Sequence, residues 1–238
     1  MKQKMKRFIP LIIILLGMGA IYFSGAYRYL SFDALKAYHL TLKTFITAHP
    51  VLVPFLYIII YIILTALSVP GAIFLTLLGG YLFPQPWSTL YVIFSATCGA
   101  TLIFLAAKTA LGDSLKQKTG PFLKKMEKGF QKNAASYMLF LRFVPVFPFW
   151  IVNLAPAFFS VPLRTFMWTT LVGIAPGSFV FTLAGGGLEK ILETEQAFSI
   201  GIIFNTQLKI ALTLLGILAL VPIVIKKLKK RHDRDKSS

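Results

Sequence analysis

FLRFVPVFPFWIVNLAPAFF, residues Phe140 to Phe159, is apolar almost throughout, yet three prolines and an asparagine interrupt it and Arg142 stands at its mouth. Proline has no N–H to give and its ring clashes with the carbonyl four residues earlier, so Pro145, Pro148 and Pro156 each weaken a continuous helix. Freed carbonyls find no partner in hydrocarbon. Broken backbone at that depth survives only where other protein covers it or water reaches it. The stretch therefore predicts a re-entrant hairpin, helix then break then helix, of the kind that lines substrate sites in transporters.

The composition fits that reading. Of 238 residues, 56% are hydrophobic and only 14% charged, and the mean hydropathy is +0.73, which places the chain among integral membrane proteins. A net charge of +17 would suggest nucleic acid in a soluble protein. Here the basic residues cluster between apolar spans, where topology signalling and anionic headgroups account for them, so nucleic acid is not an expected partner. Cys98 is the only cysteine, and His39, His49 and His232 have no metal or zinc-protease spacing. No metal site, disulfide or cofactor is expected.

Outward from the hairpin, the chain divides by hydropathy. Lys2, Lys4, Lys6 and Arg7 precede an apolar run from Phe8 to Phe23, read as a retained membrane helix within residues 1–30. The same layout, with Ser24-Gly25-Ala26 after it, also matches a cleaved signal peptide. From Ser31 to His49, Phe32, Leu35, Tyr38, Leu42, Phe45 and Ile46 recur at helical spacing among polar residues, which predicts an interfacial helix in 31–50 with Ser31 as its N-cap. Val51 to Phe83 is too long for one helix and is broken at Ser68-Val69-Pro70-Gly71 and again at Gly79-Gly80. Trp87 to Ala107 predicts a full crossing. Asp113 to Lys132 is polar, with Gly120-Pro121 opening a basic amphipathic helix. Thr165 to Leu188 predicts a second crossing, Glu189 to Ser199 a polar loop, and Leu208 to Ile225 a last membrane helix within 189–225. Residues 226–238 form a basic tail, expected to be disordered.

Displacing the chain against itself so that Pro70 falls on Pro148 also lays Pro84 on Pro162, Gly99 on Gly177, Ile73 on Ile151 and Leu105-Ala106 on Leu183-Ala184. Both copies run broken hairpin, then crossing helix. A hairpin that leaves on its own side, followed by one crossing, puts the second copy on the opposite side of the membrane, so the repeats are inverted. The basic residues agree. The N-terminus, the 108–132 segment and the tail hold 4, 7 and 7 of the 25 Lys and Arg, which places both termini in the cytoplasm. The expected fold is an all-α polytopic integral membrane protein. It has two inverted repeats within 51–188, each a re-entrant helical hairpin plus a spanning helix, with flanking N- and C-terminal transmembrane helices, in a bacterial plasma (inner) membrane.

The two broken units resemble the DedA superfamily, specifically its VTT-domain branch, the SNARE-associated Golgi proteins. The matching segments are SVPGAIFLTLLGGYLFPQPW from Ser68 with GATLIFLAAK from Gly99, and FLRFVPVFPFWIVN from Phe140 with TTLVGIAPGSFVFTLAGG from Thr169. The resemblance implies two inverted re-entrant hairpins and a role in lipid scrambling, transbilayer movement of polyprenyl phosphate carriers, or membrane homeostasis. By motif position it implies that Arg142 is the family's basic residue, Pro145 and Pro148 its hairpin prolines, and Asn153 its hairpin polar residue. Gly173, Pro176 and Gly177 match its second helix breaker, and Pro70, Gly71 and Gly80 match in the first unit. The chain departs from the pattern with Pro156-Ala157 where glycine is usual, Phe83-Pro84 for Phe-Gly, and Lys108 for arginine. It also lacks the acidic residues that most DedA-proper members carry in the first hairpin.

No Asp or Glu lies in any expected apolar span, so proton relay through an intramembrane carboxylate has no carrier. Arg142 offers a planar fork suited to phosphate, against the plainer role of snorkelling to headgroups. Asn153 either bonds carbonyls freed by Pro156 or faces a crossing headgroup. The glycines allow close helix packing or act as hinges. The function expected is non-enzymatic, a lipid transporter or scramblase whose partners are membrane lipids with anionic headgroups, with a homo-oligomer allowed. The alternative is a secondary transporter of a small ion or solute on the same scaffold. An intramembrane enzyme would need a nucleophile with its base or paired carboxylates, and the spans hold neither.

Overall fold

The structure, a computed structural model, describes residues 8–25, 31–69, 71–116, 121–144, 147–159 and 161–188, with isolated positions between 210 and 225. Eight helices occupy residues 8–188: α1 Ile9–Phe23, α2 Phe32–Ala48, α3 Leu52–Ala66, α4 Ala72–Leu82, α5 Trp87–Lys116, α6 Pro121–Phe143, α7 Phe149–Phe158 and α8 Leu163–Gly186. Among the described residues there is no strand. The last membrane helix and the basic tail expected from sequence lie outside the described residues, isolated helical positions apart.

Among the described residues two helices are long and apolar enough to cross a membrane, Trp87–Ala110 within α5 and Leu163–Gly186, each about 36 Å at 1.5 Å per residue against roughly 30 Å of hydrocarbon. Their surfaces run opposite to those of a soluble helix. Trp87, Leu90, Phe94 and Leu102 on α5, and Met167, Trp168, Leu171, Val172, Phe179 and Leu183 on α8, are exposed. The buried faces hold Ser88, Thr89, Ser95 and Thr97, or Thr169, Thr170, Ser178 and Thr182, with small residues between. Lipid solvates the large apolar side chains as well as protein would, so the interior is reserved for close packing and hydrogen bonds.

The shorter apolar helices are arranged in broken pairs. α3 and α4, about 22 and 16 Å long, join through a turn in which Ser68 has φ 50° and Gly71 φ 137°. Both values lie in the left-handed region that glycine adopts without strain. The arms lie antiparallel, since Tyr57 Oη donates to the Leu75 carbonyl at 2.8 Å while Tyr61, one turn on, reaches back to the Ala72 carbonyl at 3.5 Å and lies 3.0 Å from Thr76 Oγ1. The second pair is the end of α6 and α7, separated by residues 144–148. α6 opens at Pro121 and kinks at Asn133 (φ −139°, ψ 40°), so the incoming arm begins near Ala134 and is longer than the Phe140 start read from the sequence.

Three breaks expected from sequence are absent. Gly79 and Gly80 lie inside α4, Pro156 inside α7, and Pro176 inside a continuous α8 that also contains Gly173 and Gly177. A single proline removes one bond from the ladder, and neighbouring helices hold α7 and α8 in shape on either side of that loss.

The most extensive helix pairs are α3 with α5, α4 with α8, α6 with α8, α5 with α7, and α5 with α8. Phe104 stacks on Phe166 with centroids 4.3 Å apart, and Phe130 on Phe159 at 4.6 Å. They share a core with Ala100, Ala107, Met138 and Ala157 that fixes α7 to α5. Tyr57, Tyr61, Leu75, Phe83, Val92 and Ala96 form the matching core around the first hairpin. α2 begins at Ser31, whose side chain accepts from Ala34 N–H at 3.2 Å, and inserts Leu35 among Leu77, Phe181 and Leu188. α1 packs Ile14 against Ile103 and Ala106 of α5, beside Leu67 and Leu154.

Candidate functional site

Arg142 sits in the last turn of α6, where the helix dipole favours a cation. Its Nη2 donates to Thr170 Oγ1 at 2.9 Å, and the guanidinium lies over the Phe166 ring, 5.4 Å from its centroid. Nε is buried and has no partner. Gly173 makes this placement possible, because a Cβ there would stand 2.6 Å from Arg142 Cβ. The side chain is half-buried, and neither group that it meets is acidic. A guanidinium carries five N–H donors and does not give up its charge, so it keeps donors for a further acceptor.

Asn153, on α7, is fully buried, and neither its Oδ1 nor its Nδ2 has a hydrogen-bond partner. The bond to carbonyls freed by Pro156 is therefore not made. A buried amide left open on both sides costs about 1–3 kcal/mol for each unsatisfied group.

Of the remaining residues singled out by sequence, Pro148 caps the start of α7, accepting from Ile151 N–H at 3.0 Å, and Gly71 precedes α4 with the φ that its turn requires. Gly80 lies against the backbone of α8, since a Cβ there would strike the Thr182 carbonyl, and Gly185 lies in the same way against the Leu77 carbonyl. Gly177 meets nothing within 4 Å, so the packing role expected of it is not found. Pro70 and Pro145 lie outside the described residues. The structure thus joins Arg142 with Gly173 and Gly80 with α8, while Gly177 stays apart from both contacts.

Sequence reading passed over several groups. Gln85 Nε2 donates to Thr182 Oγ1 at 2.7 Å, and Thr89 Oγ1 donates to Gln85 Oε1 at 2.7 Å. Lys108, which stands where the family pattern has arginine, turns inward to donate to the Val161 carbonyl at 3.4 Å and lies over Phe104. The signal for the first cluster was present in the spacing of Ser and Thr along α8, where hydroxyls recur at multiples of four. Among the described residues no group of His, Cys, Asp and Glu could hold a metal ion.

Two crossing helices with inward hydroxyls, broken apolar pairs and an apolar outer surface define a helical integral membrane protein. The VTT domain family model matches residues 69–186. The chain is 35% identical over 173 residues to the transmembrane protein 41 homolog of Caenorhabditis elegans, covering 71% of this chain and 68% of that one. It is 33% identical to the Drosophila melanogaster homolog over 60% of this chain and 45% of that one. Against human transmembrane protein 41B it is 31% identical over 74% of this chain and 60% of that one. The alignments therefore leave from about a third to just over half of each relative unmatched. No solved structure matches the chain. The chain belongs to the VTT-domain family of the DedA superfamily, the group that includes the transmembrane protein 41 relatives.

Proposed function

We propose that this protein moves phosphate-bearing lipid headgroups, of phospholipid or polyprenyl phosphate, across the bilayer without a chemical step. The observation that carries the proposal is Arg142, a half-buried guanidinium with an unpartnered Nε whose two contacts, Thr170 and Phe166, carry no charge, at the break of an apolar hairpin. A charge at such a place is a functional site by default, and a phosphate oxygen supplies the acceptor that the fork lacks. α4 and α7 are about 16 and 15 Å long, half a bilayer each. Hairpins reaching in from opposite faces would shorten the apolar path that a headgroup has to cross.

The helix packing supports the inverted repeat. Exchanging α3 with α6, α4 with α7 and α5 with α8 maps the five most extensive pairs onto one another: α3–α5 onto α6–α8, α4–α8 onto α7–α5, and α5–α8 onto itself. The axis relating them runs in the membrane plane, both termini face the cytoplasm, and the membrane is the plasma membrane of a bacterium. Anionic headgroups are the partners of the basic 121–132 helix and the basic tail.

The test is reconstitution of purified protein with fluorescent phospholipid or a polyprenyl phosphate, without ATP, alongside Arg142→Ala, Arg142→Lys and empty liposomes. Wild type is expected to move headgroups and Arg142→Ala to lose at least tenfold. Arg142→Lys also loses movement, because lysine snorkels equally well but has no fork. Equal rates in all three would return Arg142 to an anchoring role. Wild type no faster than empty liposomes, with gradient-driven solute uptake, would replace lipid by a small solute.

A further inference from the structure

Thr170, Ile174, Ser178 and Thr182 follow one another at four-residue intervals along α8 and so form one ridge of that helix. Thr170, Ser178 and Thr182 are buried. The ridge covers about 18 Å at 1.5 Å per residue. At one end Thr170 accepts from Arg142. At the other, Thr182 Oγ1 accepts from Gln85 Nε2 and lies 2.7 Å from Thr89 Oγ1.

Packing does not require these hydroxyls. The offset that lays Pro70 on Pro148 equates this ridge with Val92, Ala96, Ala100 and Phe104 on α5, four buried apolar residues in the same architectural position. Where the first repeat uses methyls and a ring, the second places oxygen at three of four steps; Thr182 Oγ1 gives its own hydrogen to the Ser178 carbonyl at 2.9 Å and presents its lone pairs to Gln85. Gln85 is half-buried and has two donor hydrogens and two acceptor lone pairs. Thr182 and Thr89 occupy one of each, so the amide keeps one donor and one acceptor for a ligand.

We propose that Gln85, Thr89 and Thr182 form a second, uncharged contact for the phosphate-bearing headgroup, joined to Arg142 by the hydroxyl ridge of α8. The inference rests on the lipid-transport reading above and says how the headgroup leaves the arginine. A single cationic site holds an anion, whereas passage needs a succession of sites weak enough to release it. Neutral amide and hydroxyl groups bond phosphate oxygens or headgroup hydroxyls without trapping the charge. Ile174 is the one apolar step between the two ends.

The experiment compares wild type, Thr182→Val, Thr182→Ser, Gln85→Leu and Ile174→Thr in proteoliposomes with the same fluorescent phospholipid, after matching their thermal unfolding in detergent. Thr182→Val and Gln85→Leu are expected to slow headgroup movement about tenfold, Thr182→Ser to keep the wild-type rate, and Ile174→Thr to raise it severalfold. An active wild type with unchanged Thr182→Val and Gln85→Leu would overturn this inference and leave the transport reading standing. Slowing by Ile174→Thr as well as Thr182→Val would reduce the cluster to a clasp between the start of α5 and α8 and also overturn it. A wild type without lipid movement would remove the transport reading itself, and this inference with it.

Discussion

Gly80 and Gly185 have no side chain because the backbones of α4 and α8 meet there. Gly80→Ala forces a methyl into the Thr182 carbonyl, and neither helix backbone can yield as a flexible side chain would. A loss of about 1–3 kcal/mol is expected from such overpacking, read as a lower midpoint of thermal unfolding in detergent. Gly177→Ala is the control on the same helix. With open space around it, alanine should be neutral or gain up to about 1 kcal/mol of helix propensity. Arg142 and Gly173 behave as a pair: Gly173→Ala presses on the stem of Arg142 and should lower headgroup movement while Arg142 itself is intact. That loss would be measured in the reconstituted assay, and an unchanged rate would show that the fork does not need its present position.

The first hairpin is held by its own hydroxyls. Tyr57 and Tyr61 reach across from α3 to α4, and Phe83 and Tyr91 extend the aromatic packing, each ring edge-on to its neighbour at 5.3 Å. Tyr57→Phe leaves the buried Leu75 carbonyl without that donor and should cost about 1 kcal/mol. The effect should appear as faster amide exchange in residues 72–82, with α8 unchanged. α2 depends on a different local device. Ser31→Ala removes the N-cap acceptor used by Ala34, and about 1 kcal/mol of lost capping should fray the first turn and speed amide exchange at residues 32–35. The hairpins differ in one respect: the first is tied by tyrosine hydroxyls, and the second is packed by Phe104, Phe166, Phe130 and Phe159.

At the scale of the molecule, the proposed inversion of the two repeats would put α2 and the basic start of α6 on opposite faces of the membrane. Single cysteines at Leu40 and Lys128, introduced with Cys98→Ala, should react with a membrane-impermeant thiol reagent from opposite sides, Leu40 from outside and Lys128 from the cytoplasm. Labelling of both from one side would refute the inverted arrangement. The basic residues from which this orientation is inferred would act during insertion, each counting by position relative to a span, so the expectation needs no contact to be known.

The sequence by itself determined what depends on composition and local backbone chemistry. Membrane character followed from the apolar spans, and the hairpin breaks near Ser68–Gly71 and 144–148 from prolines and glycines whose covalent limits act anywhere. The Ser31 cap followed from a side chain that reaches only three residues. Tertiary structure alone decided which glycines pack and which face open space, since Gly80 and Gly177 differ only in what lies across from them. It also decided that Pro156 and Pro176 sit inside helices, because neighbouring helices offset one missing hydrogen bond. It brought Gln85 and Thr89 to Thr182, more than ninety residues away in the chain. Local propensity acts over a few residues, whereas these contacts exist only once α4, α5 and α8 have packed.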